Sequence, residues 1–121
     1  MTQSLEDYLE MVSFLSDLGE VRVTDIASRL EVSKPSVLSA LRALEAQGLI
    51  EHERYRTVRL TKSGVARAGE IRERHNFLTK FLTDIVGVSG ETAEKDACRM
   101  EHHLSGETLK KMQSMVAVKK N

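Results

Sequence analysis

Leu5, Leu9, Val12 and Leu15 recur at helical spacing, which predicts an amphipathic helix over about residues 4–17, ending before Gly19. Thr24 is placed to cap a second helix over 25–30 that turns Ile26, Ala27 and Leu30 inward. After Glu31 and Val32, Ser33 caps a third helix with Pro35 in its first turn, where a missing N–H costs nothing. Val37, Leu38, Leu41 and Leu44 form its apolar stripe, and Gly48 ends it. Residues 49–52 and 57–60 flank a polar tip at 53–56 and read as a short hairpin, to which Val21-Arg22-Val23 adds a third strand. Helix, short helix, turn, capped helix and hairpin together make a winged helix-turn-helix.

The pattern downstream is helical throughout. Thr61 caps a long helix to about Val86, closed by Gly87. Ser89 or Gly90 opens another to about Leu104, and Ser105 caps a last one with Leu109, Met112, Met115 and Val116 on its inner face. The Lys119-Lys120-Asn121 tail is polar and expected to fray. The fold class is therefore mainly α with a small β-wing. Residues 1–61 form a DNA-binding domain and 62–121 a helical domain, with no repeat or long linker.

Composition narrows the class. Hydrophobic residues make up 40% and charged residues 30%, ordinary for a soluble globular chain. No apolar run approaches the roughly 18 residues that cross a bilayer, and the N-terminus lacks a secretory pattern. The lone Cys98 has no internal partner for a disulfide, which favours the reducing cytoplasm. The zero net charge hides an asymmetry. Residues 33–67 hold seven basic side chains against three acidic, whereas the first 31 hold seven acidic against two basic. A basic middle beside an acidic start implies two surfaces with different tasks.

A recognition helix presents its N-terminal residues to base edges in the major groove. Here those are Ser33, Lys34, Pro35, Ser36 and, one turn on, Ser39, with Arg42 in reach of a phosphate. Their shortness favours thymine-methyl contacts and DNA shape over bidentate hydrogen bonds. Arg54 and Arg56, with Tyr55 between them, suit the phosphate backbone or minor groove. The competing reading is a helix-turn-helix used as a protein-binding module.

A sharper signal lies at Asp96-Ala97-Cys98-Arg99-Met100-Glu101-His102-His103. On a continuous helix Cys98, Glu101 and His102 stand at i, i+3 and i+4 and share a face. Thiolate, carboxylate and imidazole are the donor types that hold a transition metal. Asp7 and Glu10 repeat the i, i+3 relation on the first helix, and His75 lies within the fourth. Each has a plain alternative: Asp7 and Glu10 as a solvated acidic face, Cys98 as a small hydrophobe, His75 as a core or surface histidine. His103 is turned about 100° from His102 and is left out.

These stretches resemble the diphtheria toxin repressor / manganese transport regulator family over nearly the whole chain. The likeness rests on Ser4-Leu5-Glu6-Asp7-Tyr8-Leu9-Glu10, on the Arg54-Tyr55-Arg56 wing, on Arg74-His75, and above all on Ala97-Cys98-Arg99-Met100-Glu101-His102-His103-Leu104-Ser105. It implies a winged-helix domain, a helical dimerisation domain, and Mn(II)- or Fe(II)-activated repression of metal-uptake genes by a homodimer on palindromic operators. Co(II) and Zn(II) are further candidates in vitro, and neither an organic cofactor nor a membrane partner is implied. Asp7, Cys98, Glu101 and His102 would form a primary site, and Glu10 and His75 a neighbouring one. Dimerisation would draw on the apolar stripe of Phe77, Leu78, Phe81, Leu82 and Ile85, part of which must serve the intramolecular core.

Two positions depart from the family's branches. The iron-responsive branch has a methionine where Asp7 stands, and the manganese-responsive branch a glutamate where Cys98 stands. Asp7 is a hard oxygen donor suited to manganese, while Cys98 is softer and favours iron, cobalt or zinc. Without a glutamate at 98, one bridging carboxylate is lost and a tight binuclear pair is put in question. Glu94, one turn before Cys98, would join Glu10 and His75 in a separate second site. With an end near residue 121, the SH3-like domain of the larger iron-responsive members is not expected, and the size resembles the manganese branch.

The expected switch is electrostatic: without metal, Asp7, Glu10, Glu94 and Glu101 crowd like charges, and a divalent cation neutralises them. Two other classes remain beside it. One is a winged-helix regulator that answers to an organic ligand or protein without metal. The other, a metalloenzyme, needs an open coordination position beside a general base, and the chain has no substrate-sized insertion. A non-enzymatic regulator is expected.

Overall fold

The computed structural model describes residues 3–53 and 57–120. It divides into two compact units, Met1–Arg72 and Glu73–Asn121.

In the first unit, α1 (Gln3–Leu18), α2 (Val23–Leu30) and α3 (Lys34–Ala46) precede β1 (Ile50–His52), β2 (Val58–Leu60) and the opening turns of α4 (Lys62–Phe81). The stripe of α1 meets that of α3, so that Leu9, Val12, Ile26, Val37, Leu41, Leu44 and Ile71 are fully enclosed. Each such aliphatic side chain contributes about 1.5–3 kcal/mol by leaving water. The strands pair antiparallel, Ile50 opposite Leu60 and His52 opposite Val58. Val21 forms a single bridge to Val58, the Val58 N–H donating to its carbonyl at 2.8 Å. The expected third strand thus shrinks to one residue, because Val23 already belongs to α2.

Three local expectations change. The cap of α2 is Arg22 rather than Thr24: Asp25 reaches back and accepts from the Arg22 N–H at 3.1 Å. Glu31 closes α2 in the left-handed region at φ 56°. Leu38, assigned to the buried stripe of α3, is 37% exposed, because Val37, Ala40, Leu41 and Leu44 already fill the inward arc.

The end of α3 and the start of α4 meet at one hydroxyl. Gly48 turns the chain at φ 74°, which favours glycine. Thr61 Oγ1 donates to the Gly48 carbonyl at 2.6 Å and accepts from the Gly64 N–H at 3.0 Å, capping α4. Gly64 packs so tightly that a Cβ there would stand 1.9 Å from the Leu49 carbonyl oxygen. Further along α4, Arg72 donates to Ser13 Oγ of α1 at 2.6 Å.

The second unit holds the rest of α4, a π-helical stretch Leu82–Val86, α5 (Gly90–Met100) and α6 (Gly106–Lys120). The fourth helix was expected to stay regular to Val86; it widens after Phe81 instead. Ser89 caps α5 and Ser105 caps α6, accepting the N–H groups of Thr92 and Thr108. Leu78, Leu82, Ala93 and Ala97 form the core, flanked by Phe77, Met100, Leu104, Leu109 and Met112. Leu78 and Leu82 of the apolar stripe therefore serve this core. Met115, placed on the inner face of α6, is 57% exposed. The helix extends to Lys120, and Asn121 of the polar tail lies outside the described residues.

Candidate metal centre and nucleic-acid interface

In the second unit α5 stops at Met100, four residues earlier than the pattern predicts, and this changes how its polar residues are presented. Glu101 keeps helical angles as the C-cap, its N–H donating to the Ala97 carbonyl at 2.9 Å. His102 and His103 lie in the following turn, closed by His103 and Leu104 N–H bonds to the Met100 carbonyl. The i, i+4 face drawn for Cys98 and His102 is therefore not a helix face. Cys98 is exposed on α5, whereas the Glu101 and His102 side chains are 1% and 0% exposed.

Glu101 is the hub. One oxygen, Oε2, lies 2.7 Å from His75 Nδ1; the other, Oε1, lies 3.3 Å from His102 Nε2. Among the described residues Oε1 accepts no hydrogen bond. A buried carboxylate oxygen beside an imidazole nitrogen is a donor pair that fits a divalent transition metal. The other ring nitrogen of His75, Nε2, is 2.8 Å from Glu94 Oε1. His75, Glu94 and Glu101 are thus gathered in one cluster, and His102 adjoins it through Glu101.

Burial opposes a charge on His75, but the hydrogen bond to Glu94 and the negative charges of Glu101 and Glu94 outweigh it, raising its pKa above 6.5. The geometry agrees: a neutral imidazole has one N–H, and only the protonated ring donates to both carboxylates.

In the first unit Asp7 and Glu10 are half-buried, one turn apart on α1. Glu6 beside them is buried, which sequence spacing missed because it lies at the edge of the apolar stripe. Arg74, noted in the sequence only as a neighbour of His75, donates from Nη1 to the Glu101 carbonyl at 2.5 Å. Nothing in helical periodicity signals that contact, since it joins residues 27 apart.

Ser33 Oγ accepts from the Ser36 N–H at 3.2 Å and lies 2.8 Å from Ser36 Oγ. Lys34, Pro35, Ser36, Ser39 and Arg42 are all exposed. Arg59 on β2 pairs with Glu51 on β1 at 3.8 Å, an exposed contact worth little energetically. Arg54, Tyr55 and Arg56 at the wing tip lie outside the described residues.

Two family descriptions match: the iron dependent repressor N-terminal DNA binding domain over residues 1–58, and the iron dependent repressor metal binding and dimerisation domain over 61–120. The chain is 46% identical over 106 residues to the transcriptional regulator MntR of Escherichia coli O6:H1, covering 87% of this chain and 68% of that protein. An uncharacterised helix-turn-helix regulator of Methanocaldococcus jannaschii is 32% identical over 114 residues, 93% of this chain and 91% of its own. A manganese-dependent transcriptional repressor solved in complex with manganese superposes with a TM-score of 0.81 at 26% identity. That match covers 93% of this chain and 52% of the other, so the chain spans about half the length of that repressor.

Proposed function

The chain belongs to the iron dependent repressor family of metal-dependent transcriptional repressors, and on that premise we propose that it is a cytoplasmic homodimer that binds Mn(II) or Fe(II) and represses palindromic operators of metal-transport genes. The observation that carries the metal reading is Glu101, a buried carboxylate shared between His75 and His102 at the end of α5.

The proposed ligands are the set that the family resemblance assigns, with Glu94 added for its place one turn before Cys98. Asp7, Cys98, Glu101 and His102 form the primary site; Glu10, His75 and Glu94 form a second. The closeness of His75 and Glu94 supports their grouping. Carboxylates predominate, which suits manganese, and the one thiol leaves room for iron, cobalt or zinc. When bound, a divalent cation supplies the positive charge that offsets these carboxylates. The chain's own residues do the rest. Caps and core hold α3 in place, Ser33, Lys34, Pro35, Ser36 and Ser39 face the bases, Arg42 reaches a phosphate, and the wing residues Arg54, Tyr55 and Arg56 suit the phosphate backbone or minor groove. Residues 1–61 form the proposed DNA-binding domain and 62–121 the metal-binding and dimerisation domain. Because the ligand set draws on both, metal and DNA affinity are coupled, typically by about 1–3 kcal/mol.

The test is fluorescence anisotropy on a labelled palindromic duplex selected from a random pool. Salt is held constant, since phosphate contacts make affinity salt-dependent. EDTA is followed by Mn(II), Fe(II), Co(II) or Zn(II). The expected result is metal-dependent tightening that Cys98→Ala and His102→Ala abolish. Equal binding with and without EDTA would leave a metal-independent regulator in its place.

A further inference from the structure

We infer that Arg74 is a positioning residue for the metal site: by holding the Glu101 carbonyl it sets the direction in which the Glu101 and His102 side chains leave the end of α5. This rests on the metal reading above. The C-cap of a helix leaves its carbonyls without intrahelical partners. At this helix end the Met100 carbonyl takes the next N–H groups, those of His103 and Leu104. The Glu101 carbonyl is met by the Arg74 guanidinium at 2.5 Å. From the adjacent position on α4, His75 grips the carboxylate of the same residue at 2.7 Å. Glu101 is therefore fastened at both its backbone and its side chain by consecutive residues of one helix. The backbone fastening also bears on His102, which lies in the turn just beyond the helix. Fixing the carbonyl of residue 101 fixes the peptide plane that leads into residue 102.

Charge alone makes the opposite prediction. A guanidinium beside a cation site repels the cation, so removing it would tighten metal binding. A mere helix cap would alter thermal stability and leave the ligand field unchanged. Positioning predicts weaker binding and an altered ligand field.

The experiment titrates the 121-residue chain with Mn(II), reading free ion by electron paramagnetic resonance, and records the Co(II) absorption spectrum well below the unfolding temperature. In Arg74→Met, Mn(II) binding is expected to weaken about 10-fold, the lower end of the usual loss of an outer-sphere partner, with a changed Co(II) spectrum. Arg74→Lys, which keeps a donor and the charge, is expected to restore most of the affinity. Should Arg74→Met not fold, the shorter neutral donor of Arg74→Gln takes its place with the same expectation. Wild-type affinity and spectrum, or tighter binding, in the neutral variant overturns the inference and leaves the metal reading standing. A wild-type chain that takes up neither Mn(II) nor Co(II) overturns both.

Discussion

His75 Nδ1 stands 2.7 Å from Glu101 Oε2, joining the middle of α4 to the end of α5 across 26 residues of sequence. With Glu94 on the other ring nitrogen, the imidazole is held between two carboxylates, and its pKa is raised above 6.5. A histidine whose folded-state pKa exceeds its unfolded value stabilises the fold fully below the unfolded value. That contribution is lost as pH rises through the folded value. Metal-free protein should therefore lose more stability on His75→Ala at about pH 6 than at about pH 8.5, measured by urea unfolding in EDTA. An equal loss at both pH values would show that the ring carries no such charge.

Replacing Gly64 with alanine should destabilise the first unit. In a helix interior the change ordinarily gains about 1 kcal/mol. Here the new methyl would meet the Leu49 carbonyl at 1.9 Å, and backbone cannot yield as a side-chain tip does. Overpacking of that kind costs about 1–3 kcal/mol and outweighs the propensity gain. A thermal melt followed by circular dichroism should show a lower midpoint; a higher one would mean that the backbone at Leu49 yields readily.

Glu31 behaves in the opposite way. It occupies the left-handed region at φ 56°, where an L side chain costs about 1–2 kcal/mol. Its backbone N–H donates to the Ala27 carbonyl, so the conformation is built into the helix end. Glu31→Gly should relieve the side-chain strain and offset part of that gain with extra unfolded-state entropy, leaving a net stabilisation below about 1 kcal/mol. Chemical denaturation that shows a loss of stability would place the αL cost elsewhere.

Ser33 allows stability and DNA binding to be separated. Ser33→Ala removes the cap bond to Ser36 and should cost about 1 kcal/mol. Ser33→Asp restores a capping oxygen but brings a negative charge to the face proposed to meet phosphates. Its melting midpoint should stay near the wild-type value while DNA affinity falls. Retained affinity would argue that the start of α3 faces away from the duplex.

The winged helix-turn-helix was legible because each of its elements carries its own periodicity and cap: the stripe of α1, Ser33 before α3, Gly48 after it, Thr61 before α4. The differences fall at the helix ends. Arg22 rather than Thr24 is the N-cap of α2, its N–H taken by Asp25 reaching back three residues. The premature end of α5 escaped notice because Cys98-Arg99-Met100-Glu101-His102 carries no glycine or proline to mark a stop. Of the candidate site, His75 and Glu94 were paired from spacing and analogy. Arg74 needed the fold, because its partner is a backbone atom with no side-chain signature.

The third helix divides its labour between opposite sides. Val37, Ala40, Leu41 and Leu44 are committed to the core, while Lys34, Ser39 and Arg42 project into solvent. If the proposed DNA-facing role holds, substitutions at those three outward positions would change operator preference without disturbing the interior, whereas Ser33 also begins the helix. Divergence in sequence preference among descendants of such a chain would accumulate first at 34, 39 and 42, leaving the interior as the record of shared ancestry.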